Sequence, residues 1–244
     1  MSDVPSTTHR TPAARPVTAE RDSEIRSTPL ARDFRTRLVA AGLALSSLAT
    51  AAALLWSPGP DRDDHTYASF AAVRDAAWAG MLLDVAGAVV AVITVGLAVC
   101  MLVRARGALL ATLGAAGTAV GGALFSAGVY AYHNLSWYAT EPNAIPASAG
   151  SALMAYVADN PVHLAALQVP GLFLFSLGVL LLAAALWRSN AAARWVPVAL
   201  VIVAIAQFFT PSSALDFVQA AMLVPFLAIA RVLWQKQAST QPQP

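Results

Sequence analysis

Charge is scarce in this sequence. Acidic and basic residues fill only 11% of its 244 positions, against roughly a quarter in an average soluble domain. Lysine occurs once, at Lys236, and cysteine once, at Cys100. A single thiol excludes an internal disulfide and any metal centre built on cysteines. No glycine-rich phosphate loop, HExxH pair or nucleophile elbow occurs. With 58% apolar residues, the chain has too little polar surface to coat a soluble fold of this size. That excludes a disordered chain, a nucleic-acid binder and an ordinary soluble enzyme, and makes lipid the expected solvent.

The apolar residues gather in six runs, at about 37–56, 77–103, 109–132, 163–187, 195–210 and 213–234. A bilayer core requires about 20 residues per helical crossing, and backbone groups in lipid must be satisfied within the segment. The runs do not alternate apolar with polar, which excludes barrel strands. The sequence therefore predicts an all-α, polytopic integral membrane protein with six transmembrane helices across residues 35–236. Residues 1–34 are rich in Ser, Thr, Pro and Arg and are expected to form a disordered tail, with 237–244 a second, short tail. The first thirty residues lack the short apolar core of a cleavable signal peptide. The first run is thus expected to stay as a signal anchor.

Basic residues mark one side. Arg32, Arg35 and Arg37 lie at the start of the first run; Arg104 and Arg106, and Arg188 and Arg194, fall in alternate connections, and Arg231 and Lys236 lie at the end of the last run. The opposite loops carry Asp61, Asp63, Asp64, Asp75, Glu141 and Asp159, with only Arg62 and Arg74 as basic members. The positive-inside rule then places both termini in the cytoplasm. Trp56, Trp78, Trp137, Trp187, Trp195 and Trp234 fall at or near run ends, as interfacial aromatics do. Abundant Ala and Arg with scarce Lys suggests a GC-rich bacterial genome, and hence an inner, plasma-membrane location. Within the outer loops, Tyr67–Asp75 reads as a short amphipathic stretch and 148–158 as a further short helix. The acidic run at Asp61–Asp64 with His65 reads as a solvated turn.

Polar residues inside the runs are the best guide to a site. Asp84 and Asp216 are the ionisable side chains expected at membrane depth, where carboxylates are costly and face a bundle interior or water. Asp84 lies six residues from Trp78, about 9 Å deep at 1.5 Å per residue. Its helical face continues through small residues, Gly87, Ala88, Ala91, Thr94 and Ala98, of the kind that pack between helices. Gly122, Ser126, Tyr130 and His133 share a face of the third run, and Gly117 and Gly121 form a small-xxx-small pair. His163 and Gln168, Gln207, and Asp216 with Gln219 complete the set on the later runs.

These residues predict an outward-open polar pocket. Asp84, His133, His163 and Asp216 would converge there, with Tyr130, Gln168, Gln207 and Gln219 around them. The expected function is a small-solute carrier or a membrane partner subunit with such a pocket, without a cofactor. One alternative is a membrane-embedded metal-dependent or redox enzyme using His133, His163, Asp84 and Asp216, with His133, His163 and Asp84 as the candidate metal ligands. The other is a structural or interaction protein without a ligand site, its polar groups serving as interhelical hydrogen bonds of about 0.6 kcal/mol each. The expected partners are the lipid bilayer and either a second protein or further copies of the chain, with no nucleic acid.

Overall fold

The computed structural model describes residues 29–56 and 66–238. The expectations for 1–28, for the acidic turn at 61–65 and for 239–244 lie outside the described residues. Among those described, the fold is all helical: α1 Pro29–Trp56, α2 Tyr67–Leu102, α3 Ala108–Ala139, α4 Ala147–Asp159, α5 Val162–Ser189, α6 Trp195–Ala206 and α7 Ser212–Ala238. Five of these, α1, α2, α3, α5 and α7, are long and apolar enough to cross a membrane.

The helices run past the apolar segments that announce them. Residues 29–34, expected in the disordered tail, form the first turns of α1. The amphipathic stretch at Tyr67 joins the second run as one helix, with a break in helical geometry at Val73 (φ −126°, ψ 16°). Thr66 caps its start, accepting from the Ser69 amide at 3.3 Å. α3 continues seven residues beyond the expected boundary, and α4 occupies the position expected for the surface helix.

The largest departure is α6. Its twelve residues reach about 18 Å, well short of a hydrocarbon core of about 30 Å, although the apolar run continues to Thr210. Helical winding tightens after Ala206: the amides of Phe208 and Phe209 bond to Ile205 O and Ala206 O at 3.1 Å, three residues back. The amide and the hydroxyl of Thr210 also donate to Ala206 O, at 3.0 and 2.8 Å.

The long helices and α6 close into a ring in the order α1, α2, α3, α5, α6, α7 and back to α1, while α4 lies across the end of α3 and touches α2. The tightest seam is α3 against α5. Glycines make it: Gly114 and Gly117 of α3 lie against Gly178 of α5, and Gly121 lies against the Leu174–Phe175 backbone. The half of the ring nearest Arg104 and Arg188 is filled by apolar side chains, including Leu43, Val95, Val99, Leu182, Leu200 and Ile229. A second, small cluster of Phe70, Ala139 and Met154 fastens α4 to the other end. Large apolar residues also face outward along the helices, among them Leu48, Ile93, Leu113, Leu177 and Ile202. Such a rim suits a lipid environment.

The α2–α3 connection depends on one backbone position. Gly107 has φ +94°, and a methyl group there would also lie 3.1 Å from Ala185 O on α5. Gly107→Ala is expected to cost about 1–2 kcal/mol through the left-handed backbone alone. Thermal unfolding in detergent measures this, and an unchanged midpoint would refute it.

Candidate functional site

The ring is not filled throughout. In the half nearer Trp56 and Trp78 it encloses a cavity of about 90 Å³, walled by residues of α1, α2, α3, α5 and α7 and by Gln207 at the tip of α6. Its walls are mostly apolar: Phe125, Phe175, Met222 and Phe226 are among them. The polar wall residues are Thr50, Asp84, Ser126, Gln207 and Gln219. Along α2 the lining runs from Asp84 to Val92, from about 9 Å to about 21 Å beyond Trp78, roughly to the middle of the helix's apolar stretch. The cavity stops there because Val95 and Val99 enter the filled half.

Local sequence explains each wall. Gly87 and Gly122 bring α1 and α3 close to α2: a methyl group on Gly87 would lie 2.5 Å from the Thr50 hydroxyl oxygen, and one on Gly122 would lie 2.7 Å from Val92 Cγ2. Pro170 and Pro225 each remove a helical amide donor, two residues before Leu172 and one before Phe226. The early end of α6 carries Gln207 into the ring at the level of Gln219 rather than extending the helix past it.

Hydroxyls at membrane depth usually donate to the carbonyl one turn back. Ser46 does so to Gly42 O at 2.6 Å, Thr94 to Val90 O at 2.6 Å and Thr112 to Ala108 O at 3.1 Å. Thr50 does not: among the described residues its hydroxyl oxygen is buried without a hydrogen-bond partner, as are Gln207 Nε2 and the hydroxyls of Ser47 and Ser176, which do not line the cavity. Thr50 and Gln207 are more than nine-tenths buried, at 5% and 8% exposure, and both line the cavity. An unmade buried hydrogen bond costs about 1–3 kcal/mol, so two at one cavity call for an explanation.

Of the residues expected at a site, the cavity brings together Asp84, Gln207 and Gln219. The others lie elsewhere. Tyr130 is 40% exposed on the outer side of α3. His133 packs edge-on against Phe70 and Tyr132, and its Nδ1 lies 3.0 Å from Val129 O. A carbonyl only accepts, so Nδ1 carries the proton. His163 is exposed at the start of α5, Gln168 is half-buried with its Cγ over Gly128, and Asp216 is half-buried near the start of α7. Among the described residues, no three His, Cys, Asp or Glu side chains are grouped to hold a metal ion.

Thr50 and the three phenylalanines were not among the expected site residues. Thr50 had a usable signal: it lies six residues from Trp56, as Asp84 lies six from Trp78, so the two share a depth on neighbouring helices. Above the cavity, the ring is tied by a polar cluster that charge placement alone did not reveal. Arg74 pairs with Glu141 at 2.6 Å and with Asp75 at 3.0 Å, and its guanidinium lies 5.1 Å from the Trp137 ring centre. Trp137 Nε1 donates to Asp75 at 3.2 Å, and Trp78 Nε1 to Asn134 at 3.3 Å. Together these lock α2 to the end of α3.

No protein-family model, no curated protein and no solved structure matches the chain. The reading of the site therefore rests on its own geometry.

Proposed function

We propose that the chain is a multi-pass protein of a bacterial plasma membrane, and that the ring cavity is an outward-facing pocket for a small solute. In this reading α6 and α7 form a hairpin that completes six passes, with both termini in the cytoplasm. The charge distribution supports the orientation: Arg104, Arg106, Arg188, Arg194, Arg231 and Lys236 flank helix ends on one side, and Asp75, Glu141 and Asp159 lie on the other. The observation that carries the pocket is the cavity itself, lined by Thr50, Asp84, Gln207 and Gln219, of which Thr50 Oγ1 and Gln207 Nε2 have no hydrogen-bond partner among the described residues. A closed bundle serving only as a docking surface would gain nothing from either atom.

Thiol accessibility tests both parts. In a Cys100→Ala background, Ala88→Cys places a thiol on the cavity wall and Ala193→Cys places one in the exposed α5–α6 connection. A charged, membrane-impermeant thiol reagent added to intact cells is expected to label Ala88→Cys and to spare Ala193→Cys until the cells are permeabilised. Ala123→Cys, on the outward face of α3, is expected to stay unlabelled. Failure to label Ala88→Cys would remove the outward pocket, and labelling of Ala193→Cys in intact cells would reverse the orientation.

A further inference from the structure

We propose that the basic end of the α3–α5 seam holds the phosphate headgroup of an anionic phospholipid, bound by arginines from the two segments that meet there. The proposal rests on the reading of the chain as membrane-spanning and is independent of the cavity.

The first observation is convergence. Gly107, the last residue before α3, lies against α5: a methyl group on it would be 3.1 Å from Ala185 O and 3.2 Å from Ala185 Cα. Arg106 directly precedes Gly107, and Arg188 lies three residues beyond Ala185, about 4.5 Å further along the helix axis. The α2–α3 connection, with Arg104 and Arg106, therefore adjoins the end of α5. Arg194 folds back over that end, its guanidinium 5.4 Å from the Trp187 ring centre.

The second observation is unanswered charge. Residues 85–140 and 160–215 contain no Asp or Glu, so neither segment supplies a counter-charge. All four arginines are exposed, and none has an ion pair or side-chain hydrogen bond among the described residues. The opposite end of the bundle is built differently: Arg74 is answered there by both Asp75 and Glu141. Four unpaired guanidiniums on adjoining segments attract an anion, and their planar forks of N–H donors match the oxygens of a phosphate.

The third observation selects a lipid. Trp187 and Trp195 are half-exposed beside Arg188 and Arg194, and indoles in that position sit at headgroup level. Leu109 and Leu113 follow Arg106 along one face of α3, at 71% and 51% exposure. That face offers carbon surface to acyl chains directly below the charge. A soluble phosphate would use the arginines and leave the leucines and indoles without a role. Basic pockets between helices at the cytoplasmic surface are suited to anionic headgroups.

Native mass spectrometry of the full chain in non-ionic detergent tests this, with phosphatidylglycerol and phosphatidylcholine of identical acyl chains as probes. Phosphatidylglycerol is expected to bind at least about tenfold more tightly, since only it carries net negative charge. Arg106→Gln/Arg188→Gln is expected to weaken phosphatidylglycerol by about 25-fold, at about fivefold per basic residue, and to leave phosphatidylcholine unchanged. Arg35→Gln/Arg231→Gln removes equal charge from exposed sites on α1 and α7, across the ring, and is expected to change affinity less than about threefold. Equal loss in the two double variants would show diffuse surface charge and overturn the site, as would equal binding of the two lipids. Displacement of the lipid by a tenfold excess of inorganic phosphate would overturn the lipid assignment in favour of a soluble anion. Alkaline carbonate extraction of cell membranes provides the separate control: release of the chain would remove the membrane reading itself, whereas retention without lipid preference would remove only this proposal.

Discussion

Gly121→Ala is expected to destabilise the protein by about 3 kcal/mol, the upper end of the ordinary range for overpacking. A methyl group at this position would lie 2.7 Å from the Leu174 carbonyl carbon and 2.7 Å from Phe175 Cα. Both are backbone atoms, so no side chain can rotate away, and α5 itself must move. Gly178→Ala meets the same obstacle from the other helix, 2.7 Å from the Gly117 carbonyl carbon and 2.9 Å from Gly114 O. Close approach of this kind is how membrane helices gain packing energy when both sides of the seam are equally apolar. Each variant is expected to lower the thermal midpoint in detergent by about 10 °C, at a few degrees per kcal/mol for a chain of this length. Ala123→Leu, on the outward face of the same helix, is expected to leave the midpoint unchanged. Equal effects at Gly121 and Ala123 would show that the seam is not what holds α3.

Thr50→Val and Gln207→Leu are expected to do the reverse and stabilise the empty protein, by about 1–3 kcal/mol each. Each replacement keeps much of the side chain's volume and removes a buried polar atom that has no partner among the described residues. Ser46→Ala is the comparison, since its hydroxyl is engaged with Gly42 O and its loss brings no such gain. The readout is the thermal midpoint without added ligand. A lower midpoint in both variants would mean that Thr50 and Gln207 are satisfied in the working protein and would withdraw the strongest sign of a site. Groups retained against stability in this way are those that act on something else.

Much of this arrangement was legible in the chain, and what was hidden has identifiable causes. The runs at 163–187 and 213–234 match α5 and α7 to within a few residues, because hydropathy reports directly on lipid-depth helices. Helix ends were less legible: Tyr67–Ala76 and His133–Ala139 are helical although polar or mixed, since hydrogen bonding along the axis does not stop at the edge of the hydrocarbon. The end of α6 was hidden for the opposite reason. Phe208 and Phe209 are as apolar as the helix before them, and composition carries no mark of the turn there.

The site divides along the same line. Asp84, Gln207 and Gln219 line the cavity, as polar groups at depth tend to face inward. Tyr130 and Gln168 lie off the cavity wall, because rotation about a helix axis is set by its closest contact. Gly128 seats the stem of Gln168, and so turns that part of each helix toward the other rather than toward the ring centre. Thr50 stayed hidden because a threonine in an apolar run ordinarily bonds to its own helix, and only coordinates reveal that this one does not.

The ring is mechanically lopsided. On one side α3 and α5 are fused by glycines and share the most extensive contact in the molecule; on the other, α6 meets α5 and α7 through far fewer neighbours. Its tip is fastened to α5 by a stacked pair of rings, Phe173 and Phe208, 5.2 Å apart and each partly exposed. Any outward pressure from the cavity is therefore resisted by a weld at one wall and by a latch at the other. The barrel has a thick stave and a thin one, and the thin one holds Gln207.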